Sequence, residues 1–171
     1  MTTPQDLKEV FKHGLDLLSE GRIEEWIDGF TEDGILEFPY PAWGVPSRMQ
    51  GREALLAQMT MFRDQLKVVF SEPEFSTVNE DDLVIAAYTG ECTLLATGGQ
   101  YCQTYLSVVR FEQNRIALYR DFWDPWLLMQ AAGGELAWKQ ILPTLASKPT
   151  AGKQASRTPQ DTRTSHRRAT R

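Results

Sequence analysis

Apolar residues recur at helical spacing over the first third of the chain and at strand spacing over much of the rest. Residues 4–20 set Leu7, Val10, Phe11, Leu15 and Leu18 on one stripe, which predicts an amphipathic helix. Pro4 suits its first turn, Asp6 and Glu9 suit the positive end of its dipole, and Gly21 stops it. Residues 22–31 repeat the pattern with Ile23, Trp26, Ile27 and Phe30, so a short second helix is expected, its aromatics serving as core or as pocket wall. Thr31 to Gly34 reads as a turn, and Ile35 to Tyr40 as a strand ending at Pro39. Residues 41–48 are rich in Pro and Gly around Trp43, a composition that suits a rim, a lid or a plain connection. From Gly51 a third helix turns Leu55, Leu56, Met59 and Phe62 one way and ends near Gln65.

Beyond Leu66 the period changes to two. Strands are predicted over 67–78 (limited by Pro73), 83–97, 101–112 and 116–123, with turns at 79–82, Gly98-Gly99 and Gln113-Asn114. Long strands joined by tight turns make an antiparallel meander. Residues 125–132 and 136–145 read as short helices separated by Gly133-Gly134. After Ser147 no aliphatic period remains, so 1–146 is expected to fold as one domain and 147–171 to be a disordered basic tail. The fold class is therefore α+β: a curved antiparallel sheet folded over the early helices, enclosing a cavity at their junction.

Composition narrows the function classes. Of the 171 residues 42% are hydrophobic and 24% charged, ordinary for a globular chain, and the net charge is −5. Lys148, Lys153, Arg157, Arg163, Arg167, Arg168 and Arg171 lie in the tail, so the body is more acidic than that net value. An acidic body argues against nucleic-acid binding. No apolar run approaches the ~20 residues that cross a membrane. The N-terminus lacks the marks of a secretion signal, which predicts a cytoplasmic location. Cys92 and Cys102 match neither a disulfide framework nor a metal motif, and His13 and His166 are the only histidines, so no metal is expected.

The chemistry concentrates in Arg115 to Trp126. Alternation puts Ala117, Tyr119, Asp121 and Trp123 on one face and Ile116, Leu118, Arg120 and Phe122 on the other. Pairing through the Gly98-Gly99 turn adds Gln103, Tyr105 and Ser107, with Gly90, Cys92 and Leu94 beyond them. If this face is concave, Asp121 sits among aromatics, where desolvation raises a carboxyl toward a useful acid/base range. The alternative is a structural carboxylate, ion-paired or capping a turn; Arg120 points the other way and does not neutralise it directly.

The segments F-T-E-D-G-I-L-E-F-P (30–39), G-R-E-A-L (51–55), A-T-G-G-Q-Y-C-Q-T-Y-L-S-V (96–108) and R-I-A-L-Y-R-D-F-W-D-P (115–125), in this order, resemble the nuclear transport factor 2-like superfamily. The last two are most similar to its SnoaL-like and phenazine-biosynthesis A/B-like branch. The resemblance implies a cone-shaped α+β barrel, a homodimer through the sheet, and carboxylate acid/base chemistry without cofactor or metal. It implies an isomerase or cyclase of secondary-metabolite biosynthesis acting on an apolar carbonyl-containing or polycyclic small molecule. A non-catalytic binding or dimerising scaffold of the same fold is the alternative, and an epoxide hydrolase-like enzyme the third reading. Asp121, Tyr105 and Tyr119 are the expected catalytic residues; Phe38, Tyr40, Trp43, Met59, Gln103, Trp123 and Trp126 are the expected substrate contacts. The Arg-x-Asp of epoxide hydrolases falls on Tyr88 and Gly90 here, and the histidine of the phenazine-type proteins has no counterpart.

Overall fold

The structure, a computed structural model, describes residues 4–145, so the expectation for the tail at 147–171 lies outside the described residues. Helices α1 (Pro4–Ser19), α2 (Ile23–Asp28) and α3 (Arg52–Gln65) precede most of the strands. The strands are β1 (Phe30–Glu37), β2 (Arg48–Gln50), β3 (Leu66–Phe70), β4 (Glu74–Phe75), β5 (Leu83–Leu94), β6 (Gly99–Glu112) and β7 (Arg115–Trp123), followed by α4 (Pro125–Ala131) and α5 (Glu135–Leu145). One curved sheet results, in the order β2-β1-β7-β6-β5-β3, with β4 also paired to β5. It does not close on itself.

Four expectations are corrected. The second helix ends at Asp28, and Phe30 already belongs to β1, so the expected turn at 31–34 lies within that strand. β1 runs parallel to β7, whereas a fully antiparallel sheet was expected. Parallel pairing needs a long connection, and everything from β2 to β6 lies between these two strands. The strand expected over 67–78 is split into β3 and β4 around Pro73, which has no N–H for the ladder. A short β2, between the region read as a loop (41–48) and the helix expected from Gly51, pairs with β1 through Leu36 and Met49.

The hairpins hold as expected in place, with one change of length. Gln113 and Asn114 both take positive φ (48° and 69°), the mirror-image turn that matches strand twist. The β5–β6 connection is longer than two residues, since β5 ends at Leu94 and β6 starts at Gly99. Gly99 also makes a close approach: a Cβ there would overlap the Ala131 carbonyl at the end of α4.

The core is the concave face. Leu7, Phe11, Leu15 and Leu18 of α1 are all buried, as their spacing predicts. They meet Tyr88, Tyr105, Val109 and Tyr119 from β5, β6 and β7 in one cluster. A second cluster under α4 and α5 joins Val68, Cys92, Leu94, Ala132 and Trp138. In β7 the buried residue near the start is Ile116, not Ala117. The ladder pairs Arg110 with Leu118 and then Phe111 with Ile116, so Ala117 is an extra residue and the strand bulges there. Downstream of the bulge the expected alternation resumes, with Tyr119 and Asp121 buried.

Candidate active site

A cavity of about 120 Å³ lies between the concave face and the helices. Its floor is Tyr88 of β5, Tyr105 of β6, and Tyr119, Asp121 and Trp123 of β7. α3 forms the opposite wall with Gln58, Met59, Met61, Phe62 and Gln65, spaced to share one helical face. Leu128 and Trp138 of α4 and α5 close one end beside Phe38 and Val45. No lysine, arginine or histidine is among the described residues of this wall.

Asp121 is the ionisable centre of this floor. Ser107 Oγ donates to Asp121 Oδ1 at 2.6 Å. Ser107 is fully buried behind the floor and also lies 2.8 Å from the Tyr88 hydroxyl and 3.2 Å from the Tyr119 hydroxyl. Tyr88 and Tyr119 are themselves 3.1 Å apart. Three strands converge here because Tyr88 and Tyr105 pair across β5–β6 while Ser107 and Asp121 pair across β6–β7. Tyr88 and Tyr105 stack with ring centroids 5.1 Å apart, and Phe11 of α1 stacks on Tyr119 at 5.9 Å.

Electrostatics follow from this packing. Desolvation raises Asp121 from its ordinary 3.8 to about 7, with the neighbouring Ser107 and Tyr88 hydroxyls pulling the other way. Arg120 does not relieve it, since its guanidinium pairs with Glu37 at 2.8 Å on the outer face, beside Arg48. Burial likewise pushes the Tyr88, Tyr105 and Tyr119 phenols above their usual range, so they stay protonated as donors.

The structure brings Asp121, Tyr105, Tyr119, Trp123, Phe38 and Met59 to the cavity wall. The Tyr105 hydroxyl stands apart from the Ser107 network, 3.7 Å from Cys92 Sγ. The other expected contacts need correction. Tyr40 is 66% exposed, and its ring packs against Phe122 on the outer side of the sheet. Trp43 is 59% exposed under the Lys139 ammonium; it is its backbone carbonyl that binds inward, accepting from Trp138 Nε1 at 2.9 Å. Trp126 is 55% exposed in the first turn of α4, whose opposite side carries Leu128 to the cavity. Gln103 is buried next to the site without lining it; its Nε2 donates to the Thr104 carbonyl at 2.9 Å and its Oε1 has no partner.

Sequence reasoning noted Tyr88 only as the position where the epoxide-hydrolase arginine is missing and gave it no role; its phase with Gly90 and Cys92 was the available signal. Ser107 was on the right face without an assigned role. For Trp138 and Leu128 no local signal existed.

The chain belongs to the SnoaL-like domain family, whose model matches residues 11–119. An uncharacterized PhzA/B-like protein of Pseudomonas aeruginosa is 38% identical over 135 residues, covering 79% of this chain and 96% of that one. The crystal structure of a Bacillus subtilis protein proposed to be an isomerase has a TM-score of 0.73 at 26% identity, covering 78% of this chain and 98% of the other. A proposed polyketide cyclase from Xanthomonas campestris has the same fold, with a TM-score of 0.63 at 12% identity over 84% and 99% of the two chains. The family resemblance read from the residues is thereby shown.

Proposed function

We propose that this chain is a cytoplasmic, cofactor-independent enzyme of the isomerase or cyclase type, moving a proton on an uncharged, apolar carbonyl compound of secondary metabolism. The observation that carries this is a desolvated carboxyl, raised to about 7, set in an apolar cavity and backed by protonated hydroxyls. A group that titrates near neutrality is present in both forms at working pH, which suits it to take and return a proton. Ionised Asp121 takes the proton from the carbon beside the carbonyl. The electron pair moves to the carbonyl oxygen, which accepts a hydrogen bond from Tyr88 or Tyr119, the two phenols linked to the carboxyl through Ser107. Asp121 then returns the proton to the same or another carbon. Uncharged substrates are favoured because no cation lies in the described wall to pair with an acid. The arginine that would activate water with a carboxylate is replaced by Tyr88, which disfavours epoxide hydrolysis.

The test needs no knowledge of the natural substrate. 2-Tetralone, an enolisable bicyclic ketone, is incubated with the protein in D2O and its α-deuteration followed by NMR. Catalysed exchange is expected, rising with pH through about 7 as Asp121 ionises. Asp121→Asn is expected to reduce it by roughly 100-fold or more. An Asn variant as fast as wild type would sink the mechanism, and binding without exchange would favour a non-catalytic binding protein. The reading also includes a homodimer through the outer sheet face, where Leu106 is 42% exposed opposite Ala87 and Phe122.

A further inference from the structure

Four oxygens make the Asp121 cluster, and counting their hydrogens constrains how it works. The close pairs are Ser107–Asp121 at 2.6 Å, Ser107–Tyr88 at 2.8 Å, Tyr88–Tyr119 at 3.1 Å and Ser107–Tyr119 at 3.2 Å. The three hydroxyls hold three hydrogens, so four contacts cannot all be hydrogen-bonded while Asp121 is ionised. Ser107 has one hydrogen and is oriented to donate it either to Asp121 or to Tyr119, so only one of these two bonds exists at a time. With Asp121 ionised, Ser107 must give its hydrogen to the carboxylate, the strongest acceptor, so in the 2.8 Å contact the Tyr88 hydroxyl donates inward to Ser107 and Tyr119 is left to donate to the Tyr88 oxygen at 3.1 Å.

From this geometry we infer that Ser107 is a positioning residue that couples the charge on Asp121 to the direction in which Tyr88, and Tyr119 through it, donate. The inference rests on the proton-transfer reading of the site. Ser107 is fully buried and is not part of the cavity wall, whereas Asp121, Tyr88 and Tyr119 all border the cavity. It therefore acts only through them. When the substrate C–H bond breaks, the proton goes to the carboxylate and the electron pair to the substrate oxygen. The neutral carboxyl is a weaker acceptor and releases the Ser107 hydrogen, which turns to a tyrosine oxygen. That tyrosine no longer needs to donate inward, and its hydrogen turns to the new enolate oxygen. Returning the proton to carbon restores the first arrangement, so no other reactant is consumed. Proton abstraction and oxyanion stabilisation thus occur together, which places the donor where charge develops.

The titratable groups facing Asp121 are Tyr88 on β5, Tyr105 on β6 and Tyr119 on β7. The helices over it present Trp26, Met59 and Phe62, none of which titrates. Arg120 and Glu37 pair with each other on the outer face.

The test uses a nitro-substituted naphtholate as the enolate mimic, with affinity measured by its absorbance change. Asp121→Asn, which mimics the neutral carboxyl, is expected to tighten binding at least about tenfold. In Asp121→Asn with Ser107→Ala that gain is expected to vanish, and Ser107→Thr, which keeps a hydroxyl, to preserve it. In Ser107→Ala alone, the Asp121 midpoint, followed by carbon-13 NMR of its carboxyl, is expected to move up by about one pH unit or more. A gain that survives Ser107→Ala would show simple removal of a negative charge and would overturn the coupling. If Ser107→Ala does not fold, the Tyr88→Phe, Tyr119→Phe pair in the Asp121→Asn background reads the same thing: loss of the gain supports the coupling, survival overturns it. Coupling observed in a protein that does not exchange 2-tetralone would keep this inference and remove the catalytic reading instead.

Discussion

Replacing Asp121 by asparagine should change the pH dependence of stability in a way that needs no substrate. Folding takes the carboxyl from its ordinary 3.8 to about 7, so between these values the folded state holds a proton that the unfolded state has lost. The folded pKa is the raised one. The associated stability is therefore complete below the unfolded value and is lost as pH rises through the folded value. At about 1.36 kcal/mol per pH unit, the full shift corresponds to about 4 kcal/mol, most of it realised by pH 8. Between pH 5 and pH 8 the expected loss is roughly 2.5 kcal/mol. Asparagine keeps a carbonyl oxygen for the Ser107 hydroxyl and never ionises, so it removes this slope whatever constant offset the new amide introduces. Urea unfolding of both proteins at pH 5, 6, 7 and 8, at one protein concentration, gives the difference directly. The asparagine variant should gain on wild type steadily as pH rises. A difference that stays flat over this range would refute the desolvation of Asp121, and with it the basis for its proposed role.

Two other perturbations test the frame around the site. Gly99→Ala should lower stability by about 1–3 kcal/mol by thermal or urea unfolding, because its Cβ would overlap the Ala131 carbonyl and force α4 off β6; an unchanged midpoint would show that α4 does not pack there. Leu106→Asp should convert the proposed dimer to a monomer in light scattering with little effect on the monomer's circular dichroism, since Leu106 is half-exposed on the outer face; a dimer that persists would place the interface elsewhere.

Much of the site was legible because its logic is local. A strand turns alternate residues to opposite faces, so Asp121 could be separated from Arg120 and grouped with Tyr119 and Trp123 from the period alone, and with Tyr105 and Ser107 once hairpin pairing is added. The same holds for the buried stripe of α1, where Leu7, Phe11, Leu15 and Leu18 are spaced by the helix itself. The shortfalls begin where a residue's place depends on distant chain. Phase counted along β7 gave the wrong face to Ile116 and Ala117, because a bulge against β6 inserts a step that no period contains. Tyr40, Trp43 and Trp126 are as aromatic as Trp123, but only packing decides which aromatics meet the cavity. Prolines flank Tyr40, whose ring lies on the outer side, and α4 turns Leu128 rather than Trp126 inward.

The amino-acid sequence alone therefore determined most of the elements, the α+β class and the face that carries the acid. Tertiary structure decided what that acid is. Parallel pairing of β1 with β7, registry across three strands and the cover of α1 and α3 remove Asp121 from water and set Ser107, Tyr88 and Tyr119 around it. Desolvation and hydrogen-bond geometry are sums over everything packed nearby, and a linear pattern carries only the part contributed by neighbours along the chain.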